Sequence, residues 1–376
     1  PAMIASLRDP QNLPHPAADV ELKETHISWV LLAGEFAYKI KKPVNFGFLD
    51  FSTLDARKRY CELEVELNRR MAPELYLGVL PVRRQGARFF IGEGTGEIVD
   101  WAVWMRRFPD EDLLDARLAR GDFDPAWMEA LALRVARFHA QAQVAPEGFG
   151  TAAQLREHVL DNIAVARRWV GRGLDAALVD ALAAWAERTC ADKAELIEAR
   201  RREGYVRACH GDLHLRNIVL WRGEPIPFDC IEFNDDFRFI DVMNDVAFLV
   251  MDLDARKHPA FGLRFLSVWL EQTGDYAGLA LLDLFRFYRA GVRGKVALLT
   301  AGGTADEHTR AQFIEEARRY FQLAQSYTMP RTPKLYAVGG FSGSGKSHLA
   351  RIGMEKAHAL VIRSDATRKR IASAFP

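Results

Sequence analysis

Hydrophobic and polar positions alternate along the first hundred residues and recur at helical spacing over most of the rest. The alternation predicts short strands at Trp29 to Leu32 and Phe36 to Ile40, joined by a turn at Ala33-Gly34-Glu35. Ser52 to Met71 has helical phase, with Leu63, Leu67 and Met71 on one face and Ser52 or Thr53 as the cap. A hairpin around Gln85-Gly86 follows, spanning Arg83 to Phe90, and then a strand from Ile98 to Arg106. Beyond Pro109 the pattern changes to long helices over Pro125 to Gln143, Thr151 to Arg172 and Leu174 to Arg200. Strand character returns only between Val206 and Phe228, and helices then run to about Gln325.

Tyr327 to Pro333 is polar and Pro-containing, the character of a linker. After it, Leu335 to Val338 reads as a buried strand feeding a glycine loop, and Ala359 to Ile362 as a second strand. The expected domains are therefore residues 1–108, a small β-rich lobe; 109–328, a large helical lobe; 329–334, a linker; and 335–376, the start of an α/β unit. At 376 residues the chain has room for two or three domains. With 49% apolar and 27% charged residues it has the composition of a soluble globular protein. A net charge of +1 offers no global attraction for nucleic acid or acidic lipid. The apolar run Val246 to Met251 is far short of a membrane span, and no signal peptide is visible. Four scattered cysteines, Cys61, Cys190, Cys209 and Cys230, read as reduced thiols, which predicts a cytoplasmic location.

The chemistry concentrates in His210-Gly211-Asp212-Leu213-His214-Leu215-Arg216-Asn217. Phosphoryl transfer to a hydroxyl needs a group that orients the acceptor and oxygens that hold magnesium on the phosphates. Asp212 and Asn217 on one tight loop can supply both, and Asp229 ends a short strand twelve residues later. Chance agreement at five fixed positions is on the order of one in ten thousand. This His-Gly-Asp-x-His-x-x-Asn loop resembles that of the aminoglycoside phosphotransferase and choline kinase families, over roughly residues 20 to 325. The resemblance implies an α+β, bilobal protein-kinase-like fold, with a small β-rich N-lobe and a large helical C-lobe, that uses ATP and Mg2+. It implies Asp212 as the catalytic base, Asn217 and Asp229 as metal ligands, and His210 as a brace for the loop. Asp241, in Arg238-Phe239-Ile240-Asp241, should hydrogen-bond the catalytic-loop backbone; Asp245 and His139 read as structural, Asp245 on a helix surface or as a cap.

Such a fold also needs a strand lysine on the phosphates, held by a helix glutamate. Lys39 in Phe36-Ala37-Tyr38-Lys39 resembles that lysine, with Lys41 on the same face as its rival. Glu62, Glu64 and Glu66 compete as partner, and Glu66 is preferred for its distance from the next strand. No Gly-x-Gly-x-x-Gly precedes Lys39; Thr25-His26-Ile27-Ser28 stands there instead. The strand Trp101 to Met105 resembles the one entering the hinge, so Met105 should line the adenine pocket and the backbone of Arg106 to Phe108 should meet the base.

Gly340-Phe341-Ser342-Gly343-Ser344-Gly345-Lys346-Ser347 is a complete Walker A match. In that motif successive amides cradle phosphates, Lys346 reaches the β- and γ-phosphates and Ser347 binds magnesium. Arg363-Ser364-Asp365-Ala366-Thr367-Arg368 looks like P-loop kinases of gluconate or polynucleotide ends, which implies Asp365 as a second catalytic base and Arg368 as an acceptor contact; an N-capping Asp365 is the competing reading. About 45 residues are too few for a complete P-loop domain. The order of the two parts resembles bacterial fused proteins in which an aminoglycoside-phosphotransferase-like domain precedes a P-loop kinase. The expected function is phosphoryl transfer from Mg-ATP to a small-molecule hydroxyl (aminoglycoside, amino sugar, choline-like or sugar), with a second ATP site. The rivals are a P-loop half acting as the main kinase, with nucleic acid as an open but disfavoured partner, and a nucleotide sensor without turnover.

Overall fold

A computed structural model describes residues 2–374 apart from 48, 331 and 342; the side chains of 347, 351, 355, 373 and 374 are likewise outside the description. The helices are α1 (Ala2–Leu7), α2 (Leu54–Arg69), α3 (Leu114–Ala119), α4 (Ala126–Gln141), α5 (Ala152–Arg167), α6 (Ala176–Arg202), α7 (Asp235–Arg238), α8 (Val242–Ala255), α9 (Pro259–Thr273), α10 (Leu279–Gly303), α11 (Glu307–Ser326), α12 (Lys346–Ala357) and α13 (Ser364–Ala374). The strands are β1 (Glu21–Glu24), β2 (Ser28–Ala33), β3 (Phe36–Lys41), β4 (Tyr76–Gln85), β5 (Arg88–Ile91), β6 (Glu97–Arg106), β7 (Val206–Ala208), β8 (Ile218–Trp221), β9 (Glu224–Pro227) and β10 (Phe239–Asp241).

The chain divides into two compact units. The first holds residues 1–123 together with 210–212 and 216–238. Its centre is an antiparallel sheet in the order β1-β2-β3-β6-β4-β5. Alternation along β3 sends Tyr38 and Ile40 to one face, into a core with Leu31, Val82 and Ala102. Ala37 goes to the other, into a cluster with Cys61 and Val65 of α2, and with Val103, Met105, Val219 and Ile226. Helix α2 starts where the Thr53 hydroxyl accepts the Ala56 N–H at 3.1 Å. Its buried residues include Arg57, Cys61, Glu64, Val65 and Asn68, a face carrying three polar side chains. Arg57 is satisfied there by Asp100 at 2.8 Å and the Phe51 carbonyl at 3.0 Å.

The second unit holds residues 124–209, 213–215 and 239–376. It is helical, with α4 against α9, α5 against α6, and α10 against both α8 and α11. Helix α8 is buried continuously from Val242 to Leu253, so its apolar run is a core helix. The short pair β7–β10 is the only sheet among this unit's described residues.

The last segment departs from the predicted strand–loop–helix. Neither Leu335 to Val338 nor Ala359 to Ile362 forms a strand, and Leu335 is 94% exposed. A strand needs a neighbour for its backbone groups, and none is present among the described residues beyond 328. Two helices remain, α12 and α13. They rest on α9 of the same unit through the Arg363–Glu271 ion pair (2.7 Å), the Val361 N–H on the Ser267 hydroxyl (3.2 Å) and buried Met354.

Candidate active site

The β8–β9 hairpin turns on Arg222 and Gly223, both left-handed (φ 52° and 84°), and pairs Ile218 with Pro227. That register places Asn217 opposite Phe228, whose N–H donates to the Asn217 carbonyl at 2.9 Å, and so brings Asp229 beside the loop. Asp229 itself has φ 60°, an uncommon conformation for a non-glycine residue. Its N–H is fixed by the buried Tyr76 hydroxyl at 3.1 Å, and the next N–H, of Cys230, by the Asn68 side chain at 2.9 Å. The carboxylate remains 41% exposed.

In the loop, the Asn217 amide donates to an Asp212 carboxylate oxygen at 2.8 Å and to the Asp212 carbonyl at 3.1 Å. The Asp212 N–H donates to Nδ1 of His210 at 3.2 Å. Nδ1 is therefore unprotonated, and Nε2–H donates to the Phe228 carbonyl at 2.9 Å. His210 thus ties the loop to the end of β9. Gly211 adopts φ 83°, and a Cβ there would sit 2.7 Å from the Phe237 carbonyl oxygen, so no other residue fits.

Both rival lysines belong to the cluster. Lys39 binds Glu64 at 2.8 Å and Asp229 at 2.6 Å. Lys41 binds the other oxygen of Glu64 at 2.6 Å and also pairs with Glu232. The preferred partner, Glu66, is corrected to Glu64: Glu66 is exposed, as is Glu62, which lies 3.7 Å from Lys58. Glu64 follows Cys61 by three residues and precedes Asn68 by four, which puts it on the buried face; Glu66 falls most of half a turn away. Burial opposes charge on Lys39, yet the carboxylates of Asp229 and Glu64 outweigh it and hold its pKa well above the usual lysine value. Burial would raise the Glu64 pKa, but Lys39 and Lys41 bring it down to about 2. Glu232 moves the opposite way, raised by burial.

Met105 is buried in the cluster with Ala37, Val219 and Ile226, and Phe108 packs against Phe228 at 4.9 Å between ring centres. The amides expected to meet the base are partly committed: Arg106 N–H donates to the Leu75 carbonyl and Arg107 N–H to the Glu35 carbonyl, both at 2.8 Å. The Thr25 hydroxyl in the turn before β2 accepts the Ser28 N–H at 3.0 Å.

Two expected structural roles change. Asp241 does not hold the loop backbone. It caps α8 through the Met243 N–H (2.8 Å) and receives the Arg200 guanidinium on both oxygens (2.7 and 2.8 Å), because Arg200 ends α6 beside β10. The loop amide of Leu215 donates instead to Asp252 at 3.0 Å. Asp245 is not on a surface: it is fully buried and accepts Nε2–H of His139 at 3.0 Å. Cys209 lies close to both, and all three ligand-type atoms fall within 4.8 Å of one another.

The predicted second site is only partly assembled. Gly340, Gly343 and Gly345 all have positive φ, and α12 begins at Lys346. Lys346 Nζ reaches the Phe341 carbonyl at 2.5 Å, while Ser344 is exposed and the Ser347 side chain lies outside the described residues. Asp365 is paired with Arg368 (2.9 Å) and Lys369 (3.1 Å) along exposed α13, which keeps its pKa low.

Residues 56–282 match the phosphotransferase enzyme family. The chain belongs to that family. Its members use ATP with Mg2+ to phosphorylate hydroxyl groups of small molecules. The oxygen donors of Asn217 and Asp229 suit a hard cation such as magnesium. Relatives 32% identical over 364 residues are uncharacterized proteins of Mycobacterium tuberculosis and Mycobacterium bovis; the match takes in 95% of this chain and 70% of each of them. A solved choline kinase from Cryptosporidium parvum has a similar fold, with a TM-score of 0.52 and 12% identity over 84% of this chain and 92% of that one. No helix among the described residues is long and apolar enough to cross a membrane.

Proposed function

We propose that residues 1–328 carry a kinase site that transfers the γ-phosphoryl group of Mg-ATP to a hydroxyl of a small polar molecule of the aminoglycoside, amino-sugar, choline or sugar class. One observation carries this reading: the Lys39–Glu64–Asp229 ion chain and the hydrogen-bonded pair Asp212–Asn217 occur in one compact unit, with the hairpin register bringing Asn217 and Asp229 together. In this reading Asp212 takes the acceptor proton, and Asn217 and Asp229 hold magnesium, which neutralises charge on the phosphates. Lys39 meets the phosphates and Glu64 keeps it in place. Ala37, Met105 and Phe108 supply an apolar wall for adenine. ATP consumption by the full chain with each acceptor class in turn tests it. Mg-dependent transfer to at least one hydroxyl is expected; nucleotide binding with no transfer to any would favour a sensor.

A second reading concerns the Walker segment, where positive φ at Gly343 and Gly345 turns the chain into the start of α12 behind Lys346. Such a loop presents amides to an anion. With two sites, nucleotide stoichiometry is two per chain and falls to one in Lys346→Ala and in Asp229→Ala. One nucleotide, lost in both variants, would mean a single composite site.

A further inference from the structure

We propose that Lys41 and Glu232 form a fixed strut that positions the Asp229 segment for metal-dependent nucleotide binding; this rests on the reading of Asp229 as a magnesium ligand. The charged groups run as an unbroken series, Asp229–Lys39–Glu64–Lys41–Glu232, each in contact with the next. Because Asp229 and Glu232 lie on one short segment, the backbone closes the series into a ring. Three pieces of chain meet in it: β3 gives both lysines, α2 gives Glu64, and the stretch after β9 gives the other two carboxylates.

The two halves of the ring differ in access. On the Lys39–Asp229 side the side chains are 15% and 41% exposed; on the Lys41–Glu232 side they are 0% and 4%. A nucleotide and a cation can therefore exchange with the first pair, drawing Lys39 to phosphate and Asp229 to metal. They cannot reach the second, where the Lys41 ammonium is enclosed by Glu64, Glu232 and the Phe51 ring, 4.9 Å from its centre. When the first pair opens, the second still ties β3 and α2 to the Asp229 segment. A buried ion pair is a weak source of stability, since apolar residues of equal volume often serve as well or better. What this pair offers is geometry. Lys41 is thus a positioning residue that never touches the phosphates.

The test uses the full chain and a non-hydrolysable ATP analogue, titrated with and without magnesium, alongside thermal unfolding. Lys41→Met combined with Glu232→Gln removes the strut while keeping the remaining ring charge at −1. Loss of an outer-shell partner typically weakens metal-linked binding by about 10- to 100-fold. The double variant should lose most of the affinity gained from magnesium, and its metal-free affinity should stay within about threefold of wild type. Glu232→Asp, which keeps the charge but shortens the strut, should show a partial loss, and Lys41→Arg should retain the gain. A full magnesium gain in the double variant, or in Glu232→Asp where the double variant does not fold, overturns the proposal whatever the melting temperature does. Asp229→Ala separates the two readings. If it too keeps the gain, Asp229 is not the metal ligand and both readings fall; if it alone loses the gain, only the strut falls.

Discussion

The Tyr76 hydroxyl accepts the backbone N–H of Asp229 at 3.1 Å, deep enough that burial raises the phenol pKa well above its ordinary value. A neutral phenol is thus the partner at every working pH, and it secures a residue in a left-handed conformation. Tyr76→Phe strands that amide. We expect a loss of about 1–3 kcal/mol in unfolding free energy, measured by urea titration, and weaker binding of Mg-nucleotide. An unchanged midpoint would show that the contact contributes nothing.

Glu64 and Glu66 are two residues apart but should behave oppositely. Glu64→Gln removes the shared negative charge and turns an NH2 donor towards one of the two lysines, and should destabilise by about 3–5 kcal/mol while impairing transfer. Glu66→Gln, on the exposed face, should stay within about 0.5 kcal/mol of wild type. Parallel denaturation and turnover measurements decide it; equal effects contradict the pairing.

The same carboxylate sets an acid dependence. Its pKa is depressed from 4.5 to about 2 on folding, so the stability it adds is fully present above the unfolded value and is lost as pH falls from about 4.5 towards 2. The full change is on the order of 3 kcal/mol. Glu232 is raised, so its contribution has the opposite sign, present below 4.5 and lost as pH rises through the folded value. Glu64→Gln should flatten the acid limb of stability against pH; a curve that keeps its slope rules Glu64 out as the source.

Asp212→Asn should lower the transfer rate by roughly 10²- to 10⁴-fold, the usual worth of one general base. Nucleotide affinity should barely move, because the proposed contact is with the acceptor. Steady-state kinetics with binding measured by calorimetry checks both halves, and a fully active variant removes Asp212 from the chemistry.

All four cysteines are buried and outside any disulfide, and burial pushes the thiols of Cys61 and Cys230 up to about 12. The native protein should resist alkylation at pH 8 and titrate four thiols only after unfolding. Rapid labelling of Cys230 in the native state would show that the segment after β9 opens readily.

The parts of the site written in local chain were legible in the sequence. Asp212, Asn217 and Asp229 lie on one loop and one hairpin, so their spacing alone nearly determines their proximity. The long helices were equally plain, because their apolar phase persists for three or more turns. Glu64, one of three competing glutamates, was passed over for Glu66 because α2 buries a face containing Arg57, Glu64 and Asn68, and hydrophobic periodicity cannot show a buried polar residue. Glu232 was hidden for the same reason, and Lys41, read only as the rival of Lys39, is buried because Glu64 and Glu232 both neutralise it. Asp241 and Asp245 depended on Arg200 and His139, partners 41 and 106 residues away. Leu335 to Val338 has strand-like composition, but composition supplies no pairing neighbour.

The ring of charges also constrains how this protein can diverge. Loss of the charge at position 41 strands the buried Glu232 carboxylate, and loss of the charge at position 232 leaves Lys41 only Glu64, which it shares with Lys39, so the two charges are expected to be kept or lost together. In kindred chains we expect either Lys with an acid, or two uncharged residues of similar combined volume. A mismatched pair is the combination that selection removes first, and position 66, facing water, is free to drift.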